Sequence, residues 1–160
     1  SFPFGSQQFS RAFFGVFDGH GQWGHYVSQF CATNLPRLLA KQPLLSTDPQ
    51  TAIIGAFEDC HRKLAWSKVD VNYSGTTAVC VYISGNTIYC ANVGDSRCVL
   101  AQYSEGKHIA VDLSHDQKPG RPDEYQRIIQ SGVVLNHVMD HAEKLLDHYV
   151  FGLQLKMFLV

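Results

Sequence analysis

Between Ala12 and Phe17 the chain is apolar at successive positions, Ala-Phe-Phe-Gly-Val-Phe, and then turns polar at Asp18. A run with no alternation is hydrophobic on both faces of an extended segment, so the pattern predicts a strand over 12–17 in the interior of a sheet. After a glycine-rich break, Tyr26, Val27, Phe30, Cys31 and Leu35 recur at helical spacing, and Pro36 leaves the end of that helix open. Asp48-Pro49 then opens a second helix, with a capping side chain followed by proline at the first helical position. Its apolar stripe is Ile53, Ala56, Phe57, Cys60 and Leu64, with Glu58, Asp59, Arg62 and Lys63 opposite, as expected of a helix lying on a sheet. His61 falls beside the stripe and reads as a surface or capping residue.

From Ser74 onward the period changes to that of strands. Thr76 to Ile83 and Thr87 to Val93 flank Ser84-Gly85-Asn86, a hairpin turn, and two more strands follow over 97–102 and 108–113. Four strands with short loops predict an antiparallel meander. Pro122, with Asp123 and Glu124 in the first turn, opens a further helix. Strand runs and helix runs kept apart predict an α+β fold. Downstream, Leu135, Val138, Met139, Ala142, Leu145, Leu146, Tyr149 and Val150 fall at helical spacing, with His137, His141 and His148 alongside. His137 and His141 stand four apart, but no Glu-x-x-His motif accompanies them, and they read as surface residues. Residues 151–160 are apolar and need a partner.

Composition narrows the classes. With 160 residues, 45% of them hydrophobic and 17% charged, the chain fits one globular domain with a buried core. A net charge of -1 without runs of like charge argues against nucleic acid as a partner. No apolar stretch approaches the ~18 residues of a membrane span, and no secretory signal is visible at the N-terminus. Cys31, Cys60, Cys80, Cys90 and Cys98 are odd in number and lack Cys-x-x-Cys spacing, so they read as buried thiols. Buried thiols imply a reducing compartment, hence an intracellular protein of the cytoplasm or nucleus.

Chemistry is concentrated at four breaks between elements: Phe-Phe-Gly-Val-Phe-Asp-Gly-His-Gly over 13–21, Ser-Gly-Thr-Thr-Ala over 74–78, Ala-Asn-Val-Gly-Asp-Ser-Arg over 91–97 and Asp-Leu-Ser-His-Asp-Gln-Lys-Pro over 112–119. Asp18 supplies the hard oxygen that Mg²⁺ or Mn²⁺ prefers, and the glycines beside His20 allow backbone carbonyls to approach an ion. Each break alone is also an ordinary turn.

In order and spacing the four stretches resemble the metal-dependent serine/threonine protein phosphatases of type 2C (PPM-type). The resemblance runs from Phe13 to Gly132 and takes in Arg121-Pro122-Asp123-Glu124, Arg127-Ile128 and Ser131-Gly132. It implies a β-sandwich of two antiparallel sheets flanked by helices, α-β-β-α in four layers. It also implies hydrolysis of phosphoserine and phosphothreonine in proteins, by a water activated at a pair of Mg²⁺ or Mn²⁺ ions. By the same resemblance Asp18 bridges the two ions, the carbonyl of Gly19 ligates one, His20 is the general acid, and Asp95 belongs to a third, weaker metal site. Residues 1–132 would form the N-terminal part of the domain and 133–160 a divergent helical tail.

The chain departs from the family pattern in what it lacks. An Arg for phosphate and an acidic pair for metal are expected upstream of its first residue, and two aspartates in Asp-Gly and Gly-x-x-Asp-Asn elements are expected downstream. The domain is thus expected to be incomplete at both ends, with unpaired strand edges. As a fragment it would bind metal weakly and turn over little by itself. The alternative from another class is a catalytically dead relative that serves as a binding or regulatory module. A nucleotide-binding reading fails for want of a glycine-rich phosphate loop with Lys. Substrate identity and oligomeric state are left open.

Overall fold

The computed structural model describes residues 11–131 and 154–159. In chain order the elements are β1 (Arg11–Val16), β2 (Gly19–Gly21), α1 (Gly24–Ala40), α2 (Pro49–Ala65), β3 (Ser74–Thr76), β4 (Ala78–Ser84), β5 (Thr87–Val93), β6 (Val99–Ser104), β7 (Lys107–Asp112), α3 (Pro122–Gln130) and β8 (Gln154–Leu159). The main sheet has the order β1-β4-β5-β8 and every neighbouring pair is antiparallel. Two small ladders, β2-β3 and β6-β7, stand apart from it.

Period-two alternation assigns the two faces of the main sheet. Ala78, Cys80 and Tyr82 of β4, with Tyr89, Ala91 and Val93 of β5, face α1 and α2 and share a core with Leu35, Leu39, Ile53, Ala56, Phe57 and Cys60. The other face presents Val79 and Cys90 to Leu113, with Ile88, Cys98, Leu100 and Val111 packed around them. The layers therefore run helix pair, main sheet, β6–β7 hairpin, an antiparallel two-sheet α+β architecture of the predicted kind.

Local chemistry explains where the helices start. The Asp48 carboxylate accepts the Thr51 backbone N–H at 3.1 Å and the Thr51 hydroxyl at 2.6 Å, satisfying donors that α2 would otherwise leave orphaned. Ahead of α1, Trp23 has no capping side-chain bond; its own N–H donates instead to Ser74 Oγ at 2.9 Å, which ties the helix entrance to β3. Pro36 lies inside α1, and the helix runs on to Ala40.

Three expectations are corrected. The strand over 12–17 lies at the edge of the main sheet among the described residues, not in its interior, and Phe14 and Val16 are 61% and 63% exposed. Its apolar character reflects one face packed toward the helices through Phe13 and Phe17 and one face left open. The meander is broken in the middle: β4 and β5 form one hairpin and β6 and β7 another, because β5 pairs with β8 on its far side and the loop at 94–98 turns the chain to the opposite layer. Within the tail expected to be helical, residues 154–159 are a strand on β5. This run is short and bounded, and periodicity alone does not separate such a segment from a helix; an open sheet edge decides it. The stripe from Leu135 to Val150 and its three histidines lie outside the described residues.

Candidate metal and phosphate site

Asp18 stands where β1 ends and β2 begins, and its backbone is clamped by one residue. Asp18 N–H donates to Thr77 Oγ1 at 3.1 Å, and Thr77 N–H donates back to Asp18 O at 2.9 Å. The same Thr77 hydroxyl is 2.7 Å from Ser96 Oγ. Since Ser96 follows Asp95, this bridge braces the strand end that carries Asp18 against the turn that carries Asp95. A hydroxyl serves where valine would not, because it donates and accepts at once.

The turn is stapled from the far side by the 112–119 stretch. Gly94 has φ +94°, open to glycine at little cost, and a Cβ there would come within 2.9 Å of Thr77 Cγ2. Its N–H donates to Gln117 Oε1 at 2.8 Å, while Gln117 N–H donates to Gly94 O at 3.0 Å. Buried Asn92 donates to the carbonyls of Gly94 and His115 at 3.1 and 3.3 Å. Cys98 N–H donates to buried Ser114 Oγ at 2.9 Å. Arg97 Nε donates to Asp116 Oδ1 at 2.8 Å, and this guanidinium holds the Asp116 carboxyl below the usual carboxylate range. Lys118 Nζ lies 3.9 Å from Asp95 Oδ2, a loose and partly exposed pair. Arg121 reaches back to Asp116 O at 2.6 Å and pairs with Asp123, whose carboxyl it also lowers. These three motif stretches thus converge, through Thr77 of the fourth, on one end of the main sheet, around Asp18 and Asp95.

The fourth, Ser-Gly-Thr-Thr-Ala, contributes Thr77 to this brace and a seat for His20. In the β2-β3 ladder His20 is opposite Gly75, and a Cβ on residue 75 would lie 2.6 Å from His20 Nε2. Glycine there is what admits the imidazole. Gly19 is packed backbone to backbone on Gly24, at the start of α1, where an added Cβ would meet Gly24 O at 2.2 Å. The His20 ring lines a cavity of about 430 Å³ between α1, α2 and β3; Phe17, Cys31, Phe57, Cys60 and Asn72 also line it, whereas Asp18 and Asp95 do not.

As a metal site the described residues fit in kind but not in number. Asp18 and the Gly19 carbonyl are hard oxygen donors suited to Mg²⁺ or Mn²⁺. Among the described residues, however, no group of three or more His, Cys, Asp or Glu side chains converges to hold an ion.

The sequence singles out Asp18, Gly19, His20 and Asp95 as candidates but does not show the brace that joins the Asp18 strand end to the Asp95 turn. Thr77, Ser96, Asn92 and Gln117 carry it. The signal available was the clustering of small hydroxylated residues at 74–77, which marks a close backbone approach without naming its partner.

Solved structures share this fold. A serine-threonine phosphatase 2C from Toxoplasma gondii superposes with a TM-score of 0.75 at 19% identity, over 94% of this chain and 64% of that one. The catalytic domain of the serine/threonine protein phosphatase PstP, solved in complex with two manganese ions, superposes with a TM-score of 0.54 at 18% identity, over 94% of this chain and 65% of that one.

The family model "Protein phosphatase 2C" matches residues 2–148, and the chain belongs to that family of metal-dependent serine/threonine phosphatases. Among its relatives, "Probable protein phosphatase 2C 35" of Arabidopsis thaliana is 44% identical over 135 residues, covering 84% of this chain and 38% of the relative. The human "Protein phosphatase 1F" is 37% identical over 134 residues, covering 83% of this chain and 28% of the relative. The chain therefore spans less than half the length of the curated relatives it matches, and its match to the family model extends past Gly132, where the motif resemblance stops.

Proposed function

We propose that this chain supplies the Asp18–His20 and Asp95 portion of a protein serine/threonine phosphatase site that hydrolyses phosphoserine and phosphothreonine in proteins. The observation that carries the proposal is the Thr77–Ser96 bridge, which braces the turn bearing Asp95 against the strand end bearing Asp18, in a chain that belongs to the type 2C family. Asp18 and the Gly19 carbonyl are the residues that would hold Mg²⁺ or Mn²⁺, with Asp95 at a third, weaker position. A divalent pair, when bound, supplies hydroxide near neutral pH. His20 is the proton donor to the departing serine or threonine oxygen, a role that contributes roughly 10²–10⁴ in rate. The five thiols support an intracellular setting. No helix among the described residues is long and apolar enough to cross a membrane.

Residues 1–132 form the N-terminal part of the domain in this reading, and the ligands missing from the described residues come from elsewhere in a complete site. The test is Mn²⁺-dependent phosphate release from a phosphothreonine peptide, with a chelator control. Any chelator-sensitive release is expected to vanish in Asp18→Ala and to slow in His20→Ala, with metal binding kept in the latter. Equal release by Asp18→Ala and the unsubstituted chain overturns the assignment. Metal-independent peptide binding without release points instead to a catalytically dead module.

A further inference from the structure

The phosphatase chemistry leaves the cysteines unused, and two of them are placed together. Cys31 projects from α1 and Cys60 from α2, in the same core cluster, and both line the cavity that His20 lines. Helices α1 and α2 pack against each other, so both thiols sit in one shared core. All five cysteines are reduced.

We propose that Cys31 and Cys60 are a peroxide-oxidisable dithiol that closes to a disulfide across the α1–α2 interface, in the wall of the His20 cavity. Cys60 is the attacking sulfur. The hydrogen bond from Cys31 lowers its thiol below the ordinary range against the opposing effect of burial, and the Lys63 ammonium one turn further along α2 adds to the lowering. Cys31 is correspondingly held protonated, first by that bond and then by burial, which suits it to second place in the sequence. Cys80, on the strand beneath, is pushed up to about 12 by burial and is a poor competitor.

The Cys60 thiolate attacks one oxygen of hydrogen peroxide, the O–O bond breaks, and Cys60 becomes a sulfenic acid as the released hydroxide takes a proton to leave as water. The Cys31 sulfur then attacks the Cys60 sulfur, the S–S bond forms, and a second water leaves with the Cys31 proton. Two thiols and one peroxide thus give one disulfide and two waters, with two electrons passing from sulfur to oxygen. Closing the sulfurs to about 2.05 Å redraws the wall shared with His20, so oxidation reads out at the imidazole. This inference stands on the placement of both thiols in one core cluster and one cavity wall, and does not depend on the phosphatase reading.

The test treats the whole chain with hydrogen peroxide, digests it without reductant and maps cross-linked peptides by mass spectrometry. The expected product joins the Cys31 and Cys60 peptides, is reversed by dithiothreitol, and appears together with a shift of the His20 ring-proton resonance. In Cys31→Ser the expected product is a Cys60 sulfenic acid trapped by dimedone; Cys31→Ala is run beside it, so that misfolding of one variant does not decide the result. A disulfide to Cys80, Cys90 or Cys98 in place of Cys31, or a Cys60 that stays reduced in the unsubstituted chain and gives no dimedone adduct in either variant, overturns the proposal. A Cys31–Cys60 cross-link that leaves the His20 resonance unmoved overturns its coupling to the cavity.

Discussion

Thr77 shows how much of the site rests on single side chains. Its hydroxyl accepts from Asp18 N–H and bridges to Ser96, so Thr77→Val removes two bonds while keeping the shape. Leaving partly buried donors unsatisfied costs on the order of 1–3 kcal/mol. A matching fall in the urea midpoint, with an unchanged denaturant slope, is the expected result; an unchanged midpoint would mean that the brace contributes nothing. Asp116 offers a pH test. Its folded-state pKa is depressed by Arg97, so the stabilisation is fully present above the unfolded value of about 3.9 and is lost as pH falls through the lower folded value. Asp116→Asn is therefore expected to be the less stable chain at neutral pH, with the gap closing below about pH 4; thermal melts across that window check it. At this scale Asp18, His20 and Asp95 were legible as candidates only through the order and spacing of the four motif stretches together, since each stretch alone is also an ordinary turn. Asn92 and Gln117 were not, since a buried amide has no pattern of its own until its carbonyl partners are known.

Among the elements, α2 was read most completely. Its cap, proline and stripe are all local properties: Ile53, Ala56, Phe57 and Cys60 of the expected stripe are buried and Leu64 is half-buried, while Ala52, outside the stripe, is buried as well. Phe57 packs in the core between α2 and the main sheet. Phe57→Ala is expected to cost about 3–5 kcal/mol, and a loss under 1 kcal/mol, measured by denaturant unfolding, would contradict the packing described. Strand order was less legible. The apolar pattern of β1 is the same whether it is central or at an edge, because alternation reports how faces are covered and not how many neighbours a strand has. Likewise the break between β5 and β6 depends on β8, which is more than sixty residues further along the chain, pairing with β5 from Thr87↔Leu159 to Asn92↔Gln154. No window around Gly94 contains that information.

For the molecule as a whole, the fold gathers all four motif stretches around Asp18 and Asp95 but supplies too few ligands to close a metal site among the described residues. Phe14 and Val16 are exposed on the open face of β1. Mg²⁺ and Mn²⁺ held by one carboxylate and a carbonyl keep most of their water, so affinity is low even where the donor chemistry is right. The most direct measurement is calorimetric titration of this chain with Mn²⁺, beside Asp18→Ala. Millimolar-range binding that disappears in Asp18→Ala is the predicted result. Micromolar binding, or binding that survives loss of the Asp18 carboxylate, would contradict the placement of the metal at the end of β1.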